Sequence, residues 1–116
     1  MEIYRFFDSI DGEDERFYTA DEFAEYFRQF LSSGVYAKDN QAGLRVESNG
    51  ENMQVKITKG NAFIEGYMYK VDTEPLVLTV DTADPTLDRI DRVVIRLDKT
   101  LEKRYIKAFV LTGTPD

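Results

Sequence analysis

The sequence predicts a mainly β (α+β) domain: a small antiparallel β-sandwich or open barrel of about five to seven strands, with one N-terminal amphipathic helix at about 19–33. Three observations lead there. From residue 43 onward apolar and polar residues alternate at period two, the signature of strands with one covered face. Turn residues such as Lys59-Gly60, Pro75 and Pro85 cut this region into short runs. Ahead of it, a single segment carries the helical period. The 116 residues fit one domain, 1–116. It divides into an arm with an acidic turn (1–18), the helix (19–33) and the β region (43–113).

Residues Ile3 to Phe7 form an extended apolar stretch, either an edge strand or an arm packing on a neighbour. An acidic segment from Asp8 to Glu15 follows, with a turn expected at Asp11-Gly12. In Thr19-Ala20-Asp21-Glu22 the Thr hydroxyl and the Glu carboxylate can cap each other's backbone amides, and Tyr18 and Phe23 occupy the hydrophobic staple positions. Phe23, Tyr26, Phe27, Phe30 and Leu31 then repeat as a buried helical stripe. Gly34 suits a left-handed C-terminal cap, giving a helix of about three to four turns.

Leu44 to Ser48 and Met53 to Thr58 read as a hairpin around Asn49-Gly50, with Glu51-Asn52 able to lengthen the loop; Val55 and Ile57 share one face. Ala62 to Val71 reads as a strand interrupted at Gly66 by a bulge or a close backbone contact. Further strands are expected at 76–80, 92–98 and 105–112. In the second, Val93, Ile95 and Leu97 oppose Arg92, Arg96 and Asp98. There is no internal repeat.

Composition removes whole chemistries. With no Cys and no His there is no thiol nucleophile, disulfide, imidazole base or His-ligated zinc. Twenty-two acids against fifteen bases give a net charge of −7, which repels phosphate backbones, so no nucleic-acid partner is expected. Charged residues make up 32% of the chain and no apolar run is long enough to span a bilayer, so no membrane partner is expected either. The start lacks the basic and apolar regions of a signal peptide, which places synthesis and folding in the cytoplasm. At this length about 60–70% of the unfolded surface should be buried, enough for a core without staples.

The remaining candidates are polar or aromatic. Placing Gly12 sixth in an EF-hand loop puts Phe7 first and Tyr18 last, so the acidic run reads as a solvated turn and no metal is expected. Glu65, Asp72 and Glu74, near Tyr67 and Tyr69, are the residues a carboxylate glycosidase would use, but their spacing marks no catalytic pair. No catalytic residue, cofactor or enzyme activity is expected. Asp88-Arg89-Ile90-Asp91-Arg92 places Arg89 with Asp91 on one face and Asp88 with Arg92 on the other, an ion-pair network fixing the 82–88 loop. Phe6-Phe7 is flanked by charge and buries either into this domain or into a partner. The candidate partner contacts are therefore Phe6, Phe7, Tyr67, Tyr69, Arg89 and Arg92.

Four segments in order carry a family resemblance: Gly60-Asn61-Ala62-Phe63-Ile64-Glu65-Gly66-Tyr67; Pro75-Leu76-Val77-Leu78; Arg89-Ile90-Asp91-Arg92-Val93-Val94-Ile95-Arg96-Leu97-Asp98; and Val110-Leu111-Thr112-Gly113-Thr114-Pro115. Together with the opening Phe6-Phe7-Asp8-Ser9 and the Thr-capped helix, the chain resembles the N-terminal module of upper-baseplate and tail-tip proteins from siphophages of Gram-positive bacteria. The resemblance spans about residues 40–116. It implies a β-sandwich that attaches to the tail, with receptor binding carried by a further C-terminal region, and it transfers no catalytic residue. Ending at Asp116, the sequence reads as a short form or a single module, so attachment is the expected role.

The expected function is thus a phage virion structural module of the tail or baseplate, made in the host cytoplasm and acting by protein–protein contacts. Its partners would be other tail or baseplate proteins, with a homo-oligomer open. A carbohydrate-binding module, using Tyr67 and Tyr69 on a host glycan, is the alternative, and a small carboxylate-based glycan hydrolase the second.

Overall fold

The computed structural model describes residues 1–48, 50 and 52–116. It is mostly β with one short helix, in several small antiparallel sheets, the class read from the sequence. Helix α1 spans Ala20–Arg28. It starts as the sequence dictates. Glu22 N–H donates to Thr19 Oγ1 and Thr19 N–H donates to Glu22 Oε1, both at 3.2 Å. The staple pair Tyr18 and Phe23 packs edge to face at 6.3 Å.

The helix is shorter than the expected 19–33, and Gly34 is not its cap. Gln29 closes it in an ordinary right-handed conformation, and a last turn continues through Leu31 N–H to the Phe27 carbonyl at 2.9 Å. Tertiary pairing then takes the chain. The Ser33 hydroxyl accepts the Glu65 amide at 3.0 Å, and Gly34 pairs with Phe63 in a sheet.

Among the described residues ten strands follow in chain order: β1 Gly34–Val35, β2 Ala37–Lys38, β3 Gln41–Ala42, β4 Val46–Glu47, β5 Gln54–Ile57, β6 Gly60–Ile64, β7 Tyr67–Val71, β8 Leu76–Thr79, β9 Arg92–Asp98 and β10 Tyr105–Leu111. The six from β5 onward have four residues or more and fall within the expected strand number; β1 to β4 are two-residue pieces. The sheets are β1-β6-β7, β4-β5-β8, β2-β3 and β9-β10. Strand structure begins at Gly34, earlier than the expected residue 43. Asp39 and Asn40, at φ 54° and 63°, make the two-residue turn between β2 and β3, residues whose short polar side chains tolerate the left-handed region.

Strands β4 and β5 pair antiparallel as the expected hairpin; the turn assigned to Asn49-Gly50 and Glu51-Asn52 involves Asn49 and Glu51, which lie outside the described residues. The 62–71 segment is not one interrupted strand. It is a tight hairpin in which Ile64 pairs with Tyr67 around Glu65-Gly66, at φ 50° and 85°. Two consecutive positive φ values match the right-handed twist of the flanking strands and fold the chain back on itself. Lys59-Gly60 leads from one sheet to the other. There Gly60 lies so close to Gly43 that a Cβ on either would fall 2.7 Å from the other's Cα.

The core is small. Among the described residues only Ala24, Ile57, Ala62 and Val71 are buried hydrophobics. The accessible area is 9445 Å², against about 6,500 Å² for a compact chain of 13.4 kDa. Folding thus removes about half of the extended chain's surface instead of the expected 60–70%. The radius of gyration is 19.5 Å where a compact domain of this length has about 13 Å, and the molecule measures 69 × 35 × 26 Å. The described strands divide among four small sheets, whose inward faces, such as Val55 and Ile57 or Val93, Ile95 and Leu97, are buried or half-buried, while the helix stripe stays largely uncovered. No described helix is long and apolar enough to cross a membrane.

Candidate functional site

Helix α1 has two faces with different fates. One carries Ala24, which is 2% exposed, and Arg28, and it rests on the β6–β7 turn. Contact is intimate: a Cβ on Gly66 would collide with the Ala24 carbonyl oxygen, so the close backbone approach expected at Gly66 is made by the helix. Arg28 Nη1 donates to the Glu65 carbonyl at 2.9 Å, fastening the end of the helix to the same turn.

The other face, about a third of a turn round, is the aromatic stripe. It was expected to be buried. Instead Phe23 is 45% exposed, Tyr26 50%, Phe27 39% and Phe30 62%. The small residue, not the aromatic ones, meets the sheet, because only Ala24 lets the helix backbone reach the glycine turn. Tyr26, Phe27 and Phe30 pack mainly on each other, edge to face, with centroids 5.5–5.9 Å apart.

The N-terminal arm covers part of this stripe. Phe6, at φ 72°, stacks on Phe23 at 4.6 Å and meets Tyr18 and Tyr26 edge-on at 5.1 and 5.2 Å. Arg5 bridges Glu22 at 3.2 Å and Glu25 at 2.9 Å, offsetting one of the two acidic charges beside the stripe. Phe7 N–H donates to the Tyr18 hydroxyl at 2.9 Å. The acidic segment closes on itself: Gly12 turns at φ 74°, Ile10 bridges Asp14, and Arg16 engages both Asp14 oxygens at 3.1 and 2.9 Å. Arg16 holds the Asp14 carboxyl below the usual range, and its hydrogen bonds are the main cause.

The two candidate phenylalanines therefore part. Phe6 buries into its own chain, while Phe7 is 58% exposed beside Tyr4. The stripe with Phe6 and Phe7 forms an aromatic surface with no cover over its Phe27–Phe30 end.

Tyr67 sits in a second place, an open groove of about 570 Å³ between the start of α1 and the β6–β7 and β9–β10 hairpins. Its walls include Met68, Leu97, Tyr105 and Ile106. Asp21 Oδ1 accepts both the Tyr67 hydroxyl at 3.0 Å and Lys99 Nζ at 2.8 Å, and Lys99 also lies over the Tyr67 ring at 5.6 Å. These bonds, Lys99's first, lower the Asp21 carboxyl, and Asp21 in turn raises the Lys99 ammonium. Desolvation, then the bond to Asp21, raises the Tyr67 phenol. Tyr69 faces Ala62 across the sheet, outside the groove lining, and burial alone raises it.

Glu65 lies at the turn before β7, while Asp72 and Glu74 lie beyond its far end. A five-residue strand separates them by about 16 Å, wider than a glycosidase pair requires. Asp72 pairs with Lys70 at 3.8 Å.

Arg89 is a structural clamp. It grips Asp91 through Nε at 2.8 Å and Nη2 at 3.0 Å, and donates to the Thr82 and Asp81 carbonyls at 3.0 and 2.8 Å. This is the loop-fixing role read from the sequence. Asp88 does not pair with Arg92; its carbonyl accepts the Asp116 amide at 2.8 Å. Arg92 is exposed at the start of β9, without an ion pair among the described residues.

Comparison with protein-family models, with curated proteins and with solved structures finds no match.

Sequence reasoning missed the Asp21–Lys99–Tyr67 cluster because residues 21 and 99 are joined only by the fold. It also missed the direction of the aromatic stripe. Periodicity identifies a face that demands cover without naming what covers it.

Proposed function

We propose that this chain is a structural attachment module of a phage virion tail or baseplate, working by protein–protein contacts with other tail or baseplate proteins. It would assemble in the host cytoplasm and reside in the virion tail. The observation that carries the reading is the uncovered aromatic face of α1, with half-exposed Phe23, Tyr26, Phe27 and Phe30 on a chain whose described residues bury only four hydrophobics. A contiguous apolar patch of this kind marks an interaction surface, because the arm covers only its Phe23–Tyr26 end and leaves the rest to water.

The resemblance carried by the Gly60–Tyr67, Arg89–Asp98 and Val110–Pro115 segments supports the assignment to tail proteins. The geometry gives those segments a coherent task. Gly66 seats the helix, while Arg89, Asp91 and Gly113 tie the β9–β10 hairpin to the loop before it. A module that holds position in a particle needs such fixed elements and needs no reacting group.

Antibodies against the chain, applied to particles purified from a lysate of its source, test the reading. Label at one end of the tail is the expected result. Unlabelled particles, with all the protein remaining unassembled, overturn it.

A further inference from the structure

We infer that the aromatic face of α1 is the seam along which copies of this chain meet. The inference rests on reading that face as an assembly surface, and it names the partner.

The first argument is area. The chain exposes 9445 Å², a surplus of about 3,000 Å² over a compact chain of its mass. A standard-sized contact removes only about 800 Å² from each partner, whereas obligate interfaces take about 1,000–2,500 Å² from each. That surplus is spread over the whole chain, and it is large enough for a contact of the obligate kind to be centred on the aromatic face. Cover present as the chain folds would add to a small core, since among the described residues only Ala24, Ile57, Ala62 and Val71 are buried hydrophobics. The partner made in the same place, at the same time and in equal amount is another copy.

The second argument is charge. A chain of net charge −7 repels its copies over most of its surface. Beside the stripe that repulsion is reduced, because Arg5 bridges Glu22 and Glu25 at 3.2 and 2.9 Å and offsets one of their two charges. The face richest in uncovered aromatic rings is thus one whose flanking acids share a cation, so two copies meet there with one net negative charge each in place of two. Phe23, Tyr26, Phe27 and Phe30 follow the i, i+3, i+4, i+7 spacing with which helices seat against one another.

The absence of cysteine makes the test clean, since any introduced thiol can be linked only to the same thiol of another copy. The full chain, sedimented across the micromolar range, is expected at a multiple of 13.4 kDa. Phe27→Cys, at the middle of the stripe, should link copies through a short bis-maleimide. Glu74→Cys, on the exposed turn beyond β7, should not. Phe30→Glu should lower the assembled mass to that of one chain, and if it fails to fold, the Phe27→Cys linkage decides alone. A single-chain mass for the unmodified protein overturns the inference. So does a multimer in which Phe27→Cys links no better than Glu74→Cys, or a folded Phe30→Glu of unchanged mass. A single chain that still labels tails overturns the seam alone, whereas a linked multimer absent from particles overturns only the tail assignment.

Discussion

The Arg89 guanidinium and the Asp91 carboxylate meet in a two-point pair, Nε to Oδ1 at 2.8 Å and Nη2 to Oδ2 at 3.0 Å, and each partner is also bonded to backbone. Asp91 Oδ1 accepts the Gly113 amide at 2.8 Å, and Arg89 holds the carbonyls of Asp81 and Thr82. Thr112 Oγ1 adds a bond to Asp81 Oδ2 at 2.9 Å. Three stretches therefore converge on one ion pair: the 81–82 loop, the entry to β9 and, 22 residues beyond Asp91, the exit from β10.

The clamp predicts an acid-sensitive component of stability. The Arg89 hydrogen bonds first, and the Gly113 amide next, hold the Asp91 carboxyl below the usual carboxylate range. A carboxyl depressed in the folded state contributes stability that is complete above its unfolded value of about 3.9 and is lost as pH falls through the folded value. Thermal melts of the wild type and of Asp91→Asn should differ at pH 7, begin to approach each other below about pH 4 and converge only below the lower, folded-state value. Parallel pH profiles would show that Asp91 contributes nothing through its charge.

Besides the Gly43–Gly60 approach, two glycines lie at backbone contacts that a methyl group cannot enter. A Cβ on Gly113 would strike the Ile90 carbonyl oxygen, and one on Gly66 would strike that of Ala24. Gly66 is also at φ 85°, a conformation that L side chains rarely adopt. Each Gly→Ala change should cost about 1–3 kcal/mol. Denaturant titration measures the loss, and Gly50→Ala is the comparison: Gly50 has positive φ but open space around it, so it isolates backbone strain from collision. A Gly66→Ala loss no larger than that of Gly50→Ala would remove the helix contact from the explanation.

These particulars show what the sequence can convey. The capping box at Thr19 and Glu22 was legible because both partners lie within one turn. The bounds of β9 were legible because Arg92 to Asp98 alternates and is flanked by polar turns, and the Arg89–Asp91 pair was legible because the two residues are two apart. At Gly66 the sequence offers a bulge or a close backbone contact; the contact is there, but the reversal is not legible, since Glu is an uncommon residue at φ 50° and only the pairing of Ile64 with Tyr67 reveals it. The stripe from Phe23 to Phe30 announced a face that must be covered, but the choice of Ala24 as the contact depends on a glycine 42 positions away, and no local pattern records it.

The arm supplies the last prediction. Phe6 is held at φ 72° so that its ring lies flat against Phe23 at 4.6 Å, between the edges of Tyr18 and Tyr26. Left-handed backbone is costly for a bulky residue, so the aromatic contacts must outweigh it. Phe6→Ala removes the contacts and keeps the strain. It should lower stability by about 2 kcal/mol, less than a fully buried Phe because the site is half open. Phe7→Ala, which deletes a ring with one edge contact to Tyr4 and wide exposure, should change stability by less than about 0.5 kcal/mol. Chemical denaturation reads both, and near-ultraviolet circular dichroism reports the tyrosines directly. Loss of the Tyr18 and Tyr26 signal in Phe6→Ala but not in Phe7→Ala is the expected pattern. Equal effects would mean that the arm docks as a unit, without Phe6 as its anchor.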